Sequence, residues 1–303
     1  MNSPAPEPPV PAWLLSRIRS TLFSSTRVPN IAALFLVLGA VSACAHVASN
    51  PPSLENPQVL LLGEVHDNAL GHRQRFENLR QRVQAGWRPA LAMEQFDVEN
   101  QALLSRAQQS CANADCVIRM MAGQDWDWPL YRPVIDLALR YQLPLIAANL
   151  SRRAAARVAR EGIRSSFDAP TILAYHLATP LPPDILQGQT EAVVVGHCHM
   201  LPESMIEGMA EAQIARDIQM ALTVRAQRPR DVVLLAGNGH LRNDIGVARW
   251  INAITPPLII RSEAYEEQDT AGAYDVTHSI APQPRADPCA VFSGALKSKA
   301  GSK

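Results

Sequence analysis

Residues 59–68 read VLLLGEVHDN: an unbroken apolar run, Val59–Leu62, a glycine, and then Glu64, His66, Asp67 and Asn68 in quick succession. An apolar run without polar alternation predicts a strand covered on both faces, the signature of a parallel sheet inside an α/β protein. Residues i and i+2 of an extended segment point the same way, so Glu64 and His66 are expected to face a common point at the end of that strand.

The pattern recurs along the chain. PALAMEQ (89–95) predicts a second strand ending in Glu94-Gln95, and LPLIAANLS (143–151) a third ending in Asn149, followed by Ser151 and Arg152. RDVVLLAGNGH (230–240) predicts a fourth that runs into His240, PPLIIRSE (256–263) a fifth, and GAYDVTHSI (272–280) an edge strand. Helical periodicity fills the intervals, with Phe76, Leu79 and Val83 on one face of a helix over 69–85 and a further helix over 131–142. Strands alternating with helices define an α/β fold with a parallel-rich central sheet flanked by helices. Residues 152–228 interrupt the alternation and predict a small all-helical insertion subdomain between core segments 58–151 and 229–285. EAVVVGHCHMLP (191–202) is ambiguous within it, because its valines favour a strand and its neighbours a helix.

Apolar strands that all finish in polar residues at the C-terminal end place a ligand crevice at that edge of the sheet. Gly-x-x-His occurs at 63–66 and 237–240, behind two of the strands, and again at 196–199. Buried carboxylates are costly unless paired or coordinated, so Glu64, His66, Glu94 and His240 form the candidate site. His72, early on the following helix, fits a supporting position as well as an exposed one. Arg216-Asp217, on the amphipathic stretch 210–227, is expected to be an ordinary solvated pair or, less commonly for such residues, to pair with a pocket group, and His46 and His278 to be incidental.

The termini carry a different signal. Arg17, Arg19 and Arg27 precede the uncharged run Ile31–Ala43, which has the length of a signal-peptide core and closes on VSAC at 41–44. This resembles the bacterial lipoprotein processing site and implies lipidation of Cys44; an uncleaved short membrane helix is the other reading. Residues 44–57 then form a tether and 286–303 a flexible tail, and Ala45 points to the outer membrane, facing the periplasm. In that compartment disulfides persist, Cys111 and Cys116 are expected to pair, and Cys198 and Cys289 either pair or remain free. With 28 basic and 28 acidic residues and 5% aromatics, the chain has neither the field nor the stacking surface of a nucleic-acid binder.

The segments LLGEVHDN, ALAMEQF, AANLSR, GHCHMLPESM, AQIARDIQMA and VVLLAGNGHLRNDIGV resemble those of the ChaN-like haem-binding lipoproteins, within a wider group holding the erythromycin esterases and the Tiki/TraB proteins. The resemblance implies an α/β core with a small helical subdomain, haem as cofactor, and a role in haem and iron uptake at the cell envelope. It makes the segment around His197 helical, and it leaves His199 where relatives carry glycine.

Two functions follow. A haem site needs an apolar slot and an axial donor. Candidates are His197, His199, Tyr131, Tyr175 and His176, with Arg152 or Arg153 for propionates, Met200, Met205 and Met209 on the wall, and room for a homodimer to enclose the haem. Alternatively, Glu64, His66, Glu94 and His240 bind a divalent metal ion or act as general bases in a hydrolase.

Overall fold

Six strands lie side by side in the order β3-β2-β4-β1-β5-β6, and every neighbouring pair is parallel. They are β1 (Val59–Glu64), β2 (Ala90–Asp97), β3 (Leu145–Asn149), β4 (Val232–Gly237), β5 (Ile260–Glu266) and β6 (Val276–Ser279). The helices are α1 (Ala69–Gln84), α2 (Gln101–Ser110), α3 (Ala114–Met121), α4 (Trp128–Tyr141), α5 (Arg152–Glu161), α6 (Ala169–Ala174), α7 (Pro183–Gly196), α8 (Glu203–Ala226), α9 (Asn238–Leu241) and α10 (Val247–Ile251). The computed structural model describes residues 56–121, 126–268, 273–287 and 289–290, all within the compact unit Pro52–Lys303. The signal run Ile31–Ala43, Cys44, nearly all of the tether and most of the tail lie outside the described residues.

Parity along each strand explains the two layers. Leu60, Leu62, Leu91, Met93, Val233 and Leu235 face one core, with α1 to α4. Val59, Leu61, Ala92, Val232, Leu234 and Ala236 face the other, with α5, α8 and α10. Side chains alternate faces along an extended chain, and here both faces are covered, so β1 and β4 are buried at every residue. Between β3 and β4 the chain is all helical, α5 to α8, and α8 covers one face of the sheet: its Ile214, Ala215, Ile218, Ala221 and Val224 share one buried core with Val59, Ala92 and Leu234. The valine-rich stretch before His197 is helical, in α7. The expected fourth strand ends three residues early, at Gly237, and His240 stands on the single helical turn α9 instead.

In the opening stretch, Asn68 caps α1 by accepting from the Gly71 N–H at 2.9 Å, and its amide donates to Ala281 O and Glu267. Ten residues thus supply a strand, the turn out of it and the cap of the next helix. Both cysteine pairs are bonded, Cys111 to Cys116 and Cys198 to Cys289. Among the described residues no helix is long and apolar enough to cross a membrane.

Leu234, at the centre of β4, has no exposed surface. Leu234→Ala is expected to lower the unfolding free energy by about 2–5 kcal/mol, the cost of lost burial plus a residual cavity, read from the urea midpoint at unchanged slope.

Candidate functional site

Glu64 is the last residue of β1, 2% exposed, and its parity turns it towards the α1–α4 layer. Four donors converge there. The Arg75 guanidinium on α1 reaches Oε2; the Tyr131 hydroxyl on α4 (2.6 Å), the Gln95 amide (3.3 Å) and His66 Nδ1 (2.8 Å) reach Oε1. Burial alone would raise the Glu64 carboxyl, but the Arg75 charge and the His66 hydrogen bond reverse this and hold it at about 2. An ionised carboxylate only accepts, so His66 presents its Nδ1–H to Glu64 and turns Nε2 outward.

His72 is buried behind this group. It accepts from Arg75 at Nδ1 (3.1 Å), which obliges Nε2–H to donate to His66 O (3.0 Å). Burial and then the Arg75 charge lower its pKa to about 4, so it remains neutral and fixes the backbone of His66.

A second carboxylate–imidazole pair lies on the other face of the sheet. Asp217, on α8, is fully buried; its Oδ1 meets His240 Nδ1 at 2.6 Å and its Oδ2 accepts from Gln189 at 2.9 Å. Burial raises the Asp217 carboxyl to about 6. Burial also opposes charge on His240, yet the Asp217 and Glu94 charges outweigh it and raise the imidazole above its ordinary value. His240 Nε2 stands 3.7 Å from Glu94 Oε1, while Glu94 Oε2 accepts the Gly237 N–H at 2.7 Å.

The pairs meet at one rim. His66, Glu94 and His240 line a cavity of about 890 Å³ at the C-terminal edge of the sheet, towards the upper end of the ~300–1,000 Å³ usual for ligand pockets. Gly237 makes the approach feasible: a Cβ there would lie 2.8 Å from His66 Nε2. Leu103, Met121 and Trp126 line the cavity from the α2–α4 layer, and Trp126 backs His66 edge-on at 5.1 Å. Arg152 and Arg216 line it from the α5–α8 layer.

Of the expected site residues, Glu64, His66, Glu94 and His240 come together, and Arg152 joins them on the wall. The expected axial donors do not line this cavity. Tyr131 is fully buried with its hydroxyl on Glu64, and burial together with the Glu64 charge holds its pKa far above the ordinary phenol value. Tyr175 is buried against Trp250, His176 and His199 are exposed, and half-buried His197 has its Nδ1 on Val193 O at 2.7 Å. Met200, Met205 and Met209 are not on the wall either.

The divalent metal expected at the strand ends finds no support. Among the described residues no three His, Cys, Asp or Glu side chains are grouped so as to hold one. Glu64 is saturated by its four donors, and Glu94 spends one oxygen on the Gly237 amide.

Asp217 follows the pocket-pairing reading of Arg216-Asp217 and not the solvated one. It falls on the buried stripe Ile214, Ile218, Ala221, and an acid on such a stripe signals a buried partner. Arg75 follows the same rule between His72 and Leu79 on α1. His278, expected to be incidental, stacks on Tyr265 at 4.5 Å and meets Glu263 at 3.3 Å, in a network away from the cavity.

The fold and site define a parallel α/β protein with a ligand cavity at the strand ends, framed by two imidazoles that buried carboxylates hold in place. The match to the family model described as haem-binding uptake, Tiki superfamily, ChaN spans residues 52–251, two thirds of the sequence, and the chain belongs to that family. Among solved structures it is similar to one described as cofacial haem binding to ChaN of Campylobacter jejuni: TM-score 0.58, 21% identity, 73% of this chain and 86% of that one. It is more distantly similar to an erythromycin esterase variant in its open conformation, at TM-score 0.42 and 16% identity over 74% of this chain and 76% of that one. No curated protein matches the chain by sequence.

Replacing Glu64 by Gln leaves Arg75 buried without its counter-charge, and Glu64→Gln is expected to cost about 3–5 kcal/mol in the urea midpoint at pH 7. The folded value of about 2 lies below the ordinary 4.5. Ionised Glu64 therefore contributes stability that is complete above about pH 4.5 and is lost as pH falls towards 2. That decline is expected to be shallower in the variant than in the wild type. At the second pair, Asp217→Asn is expected to lower the His240 pKa, read from its ring-proton NMR titration.

Proposed function

We propose that the protein binds haem in the strand-end cavity and serves haem and iron uptake at the cell envelope. One observation carries the site: two imidazoles present Nε2 to the same cavity because a buried carboxylate holds each Nδ1. A carboxylate behind an imidazole fixes its tautomer and makes it the more basic donor, as in metal-ligating histidines generally. When bound, haem supplies an iron centre that takes axial ligands and a planar ring that needs apolar cover. His66 and His240 are the donors this chain offers, Leu103, Met121 and Trp126 the cover, and Arg152 a cation for the propionates.

The family and its description as haem-binding uptake support the role. VSAC at 41–44 supports lipidation of Cys44 and anchoring in the outer membrane, facing the periplasm. The cofacial binding described for the Campylobacter jejuni neighbour makes a homodimer enclosing haem the expected assembly.

The hydrolase reading keeps one favouring observation, the same carboxylate–imidazole pairs. A neutral imidazole can take a proton from water at Nε2 while Glu64 or Asp217 stabilises the resulting cation.

Titrating the full chain in detergent with haem is expected to give a saturable Soret shift at micromolar protein. His66→Ala and His240→Ala are each expected to weaken binding about tenfold or more. Absence of saturation in the wild type sinks the haem reading. Turnover of an ester or peptide panel that His66→Ala abolishes would install the hydrolase in its place. Cys44→Ser is expected to move the protein from the membrane fraction to the soluble one.

A further inference from the structure

The cavity is amphiphilic by construction. Its apolar side chains come from the α2–α4 layer and its cations, Arg152 and Arg216, from the α5–α8 layer. Arg216 is the unusual member. It sits mid-way along α8, half-buried, beside Asp217 in sequence, yet the two side chains diverge: Asp217 reaches His240, and Arg216 reaches the end of β3.

There Arg216 Nη1 donates to Asn149 Oδ1 and Leu150 O, both at 2.7 Å and both neutral. A guanidinium carries five N–H donors, and the Nε–H and Nη2 hydrogens find no acceptor among the described residues. They are not sealed in the core either, because Arg216 contributes no buried unsatisfied atom.

The nearby acids do not neutralise it. Asp217 is taken by His240 and Gln189, Glu94 by the Gly237 amide with His240 opposite, and Asp97 has a partner of its own. Burial presses the Arg216 pKa below its ordinary value even with these acids around it. The result is a partly desolvated cation on a cavity wall, steadied at one nitrogen and open at the other two.

We propose that Arg216 is the carboxylate anchor of the cavity, receiving the acid group of an amphiphilic planar ligand. For haem that group is a propionate, so the assignment rests on the haem reading above. A guanidinium fork matches a carboxylate in two parallel hydrogen bonds, and fixing one nitrogen beforehand reduces the freedom lost on binding. Its place opposite the Trp126 wall sets the ligand's orientation, with acid groups towards α8 and the apolar edge towards α2–α4.

The test compares haem with its dimethyl ester, which keeps the ring and iron and removes both acids. Full chain in detergent is titrated at the Soret band, as wild type, R216Q and R216K. Partition of the ester into micelles is common to all three proteins and cancels in comparisons between them.

R216Q is expected to bind haem about 10- to 100-fold more weakly, the range a charge-assisted hydrogen bond supplies, with ester binding unchanged. R216K, which keeps the charge and loses the fork, is expected to fall between wild type and R216Q for haem. Equal loss of haem and ester in R216Q, loss of neither, or identical haem affinities for R216K and R216Q overturns the assignment and leaves haem binding intact. A wild type that shows no saturable shift with haem overturns the reading beneath it instead.

Discussion

Everything at the strand ends depends on keeping Glu64 ionised where water cannot reach it. A carboxylate with essentially no exposure is tolerable only if donors replace its hydration. Arg75, Tyr131, Gln95 and His66 do so from α1, α4, β2 and the turn after β1. The group therefore also ties four parts of the chain to one point. Arg75 supplies the main compensating charge for Glu64. Burial opposes charge on His66, but the Glu64 hydrogen bond and the Glu94 charge outweigh it and raise the imidazole above its ordinary value, while the bond to Glu64 keeps Nδ1 occupied and Nε2 turned outward.

The parallel sheet turns that local arrangement into a site. Glu64 is in register with Gly237, so the residues that follow β1 and β4 emerge side by side. Parity sends Glu64 to one layer and Glu94 to the other, which is why two braces form on opposite faces of the sheet and still open onto one cavity. A one-residue slip in β2 that carried Glu94 to the place of Gln95 would put a second carboxylate against Glu64 and bring Met93 to the Gly237 amide, which would lose its acceptor.

This division also marks what the sequence could carry. The strands were legible because an unbroken apolar run has to be covered on both sides, and the strand-end residues because polar groups rarely close such runs idly. Asp217 and Arg75 were harder. Each is visible only once the buried stripe of its helix is known. The expected donors, Tyr131 on α4 and Tyr175, His176, His197 and His199 beyond the ends of α6 and α7, stand away from the strand-end cavity for a related reason. Residue type identifies a possible ligand, but only the sheet's edge decides which side chains share a space, and Tyr131 is already used to hold Glu64.

The two imidazoles are not equivalent, and their settings divide the work. The His240 side chain is 13% exposed and already faces Glu94 across 3.7 Å, so a ligand reaching it must displace or share that carboxylate. The His66 side chain is 49% exposed, its Nδ1 committed to Glu64, its backbone held by His72 and its ring backed by Trp126. Orientation is thus fixed while access is retained, the combination that lets a donor bind without first being ordered. Under the proposed haem reading, His66 is the nitrogen an incoming ligand would meet first. His240, with Glu94 beside it, is placed to respond to charge that the ligand brings.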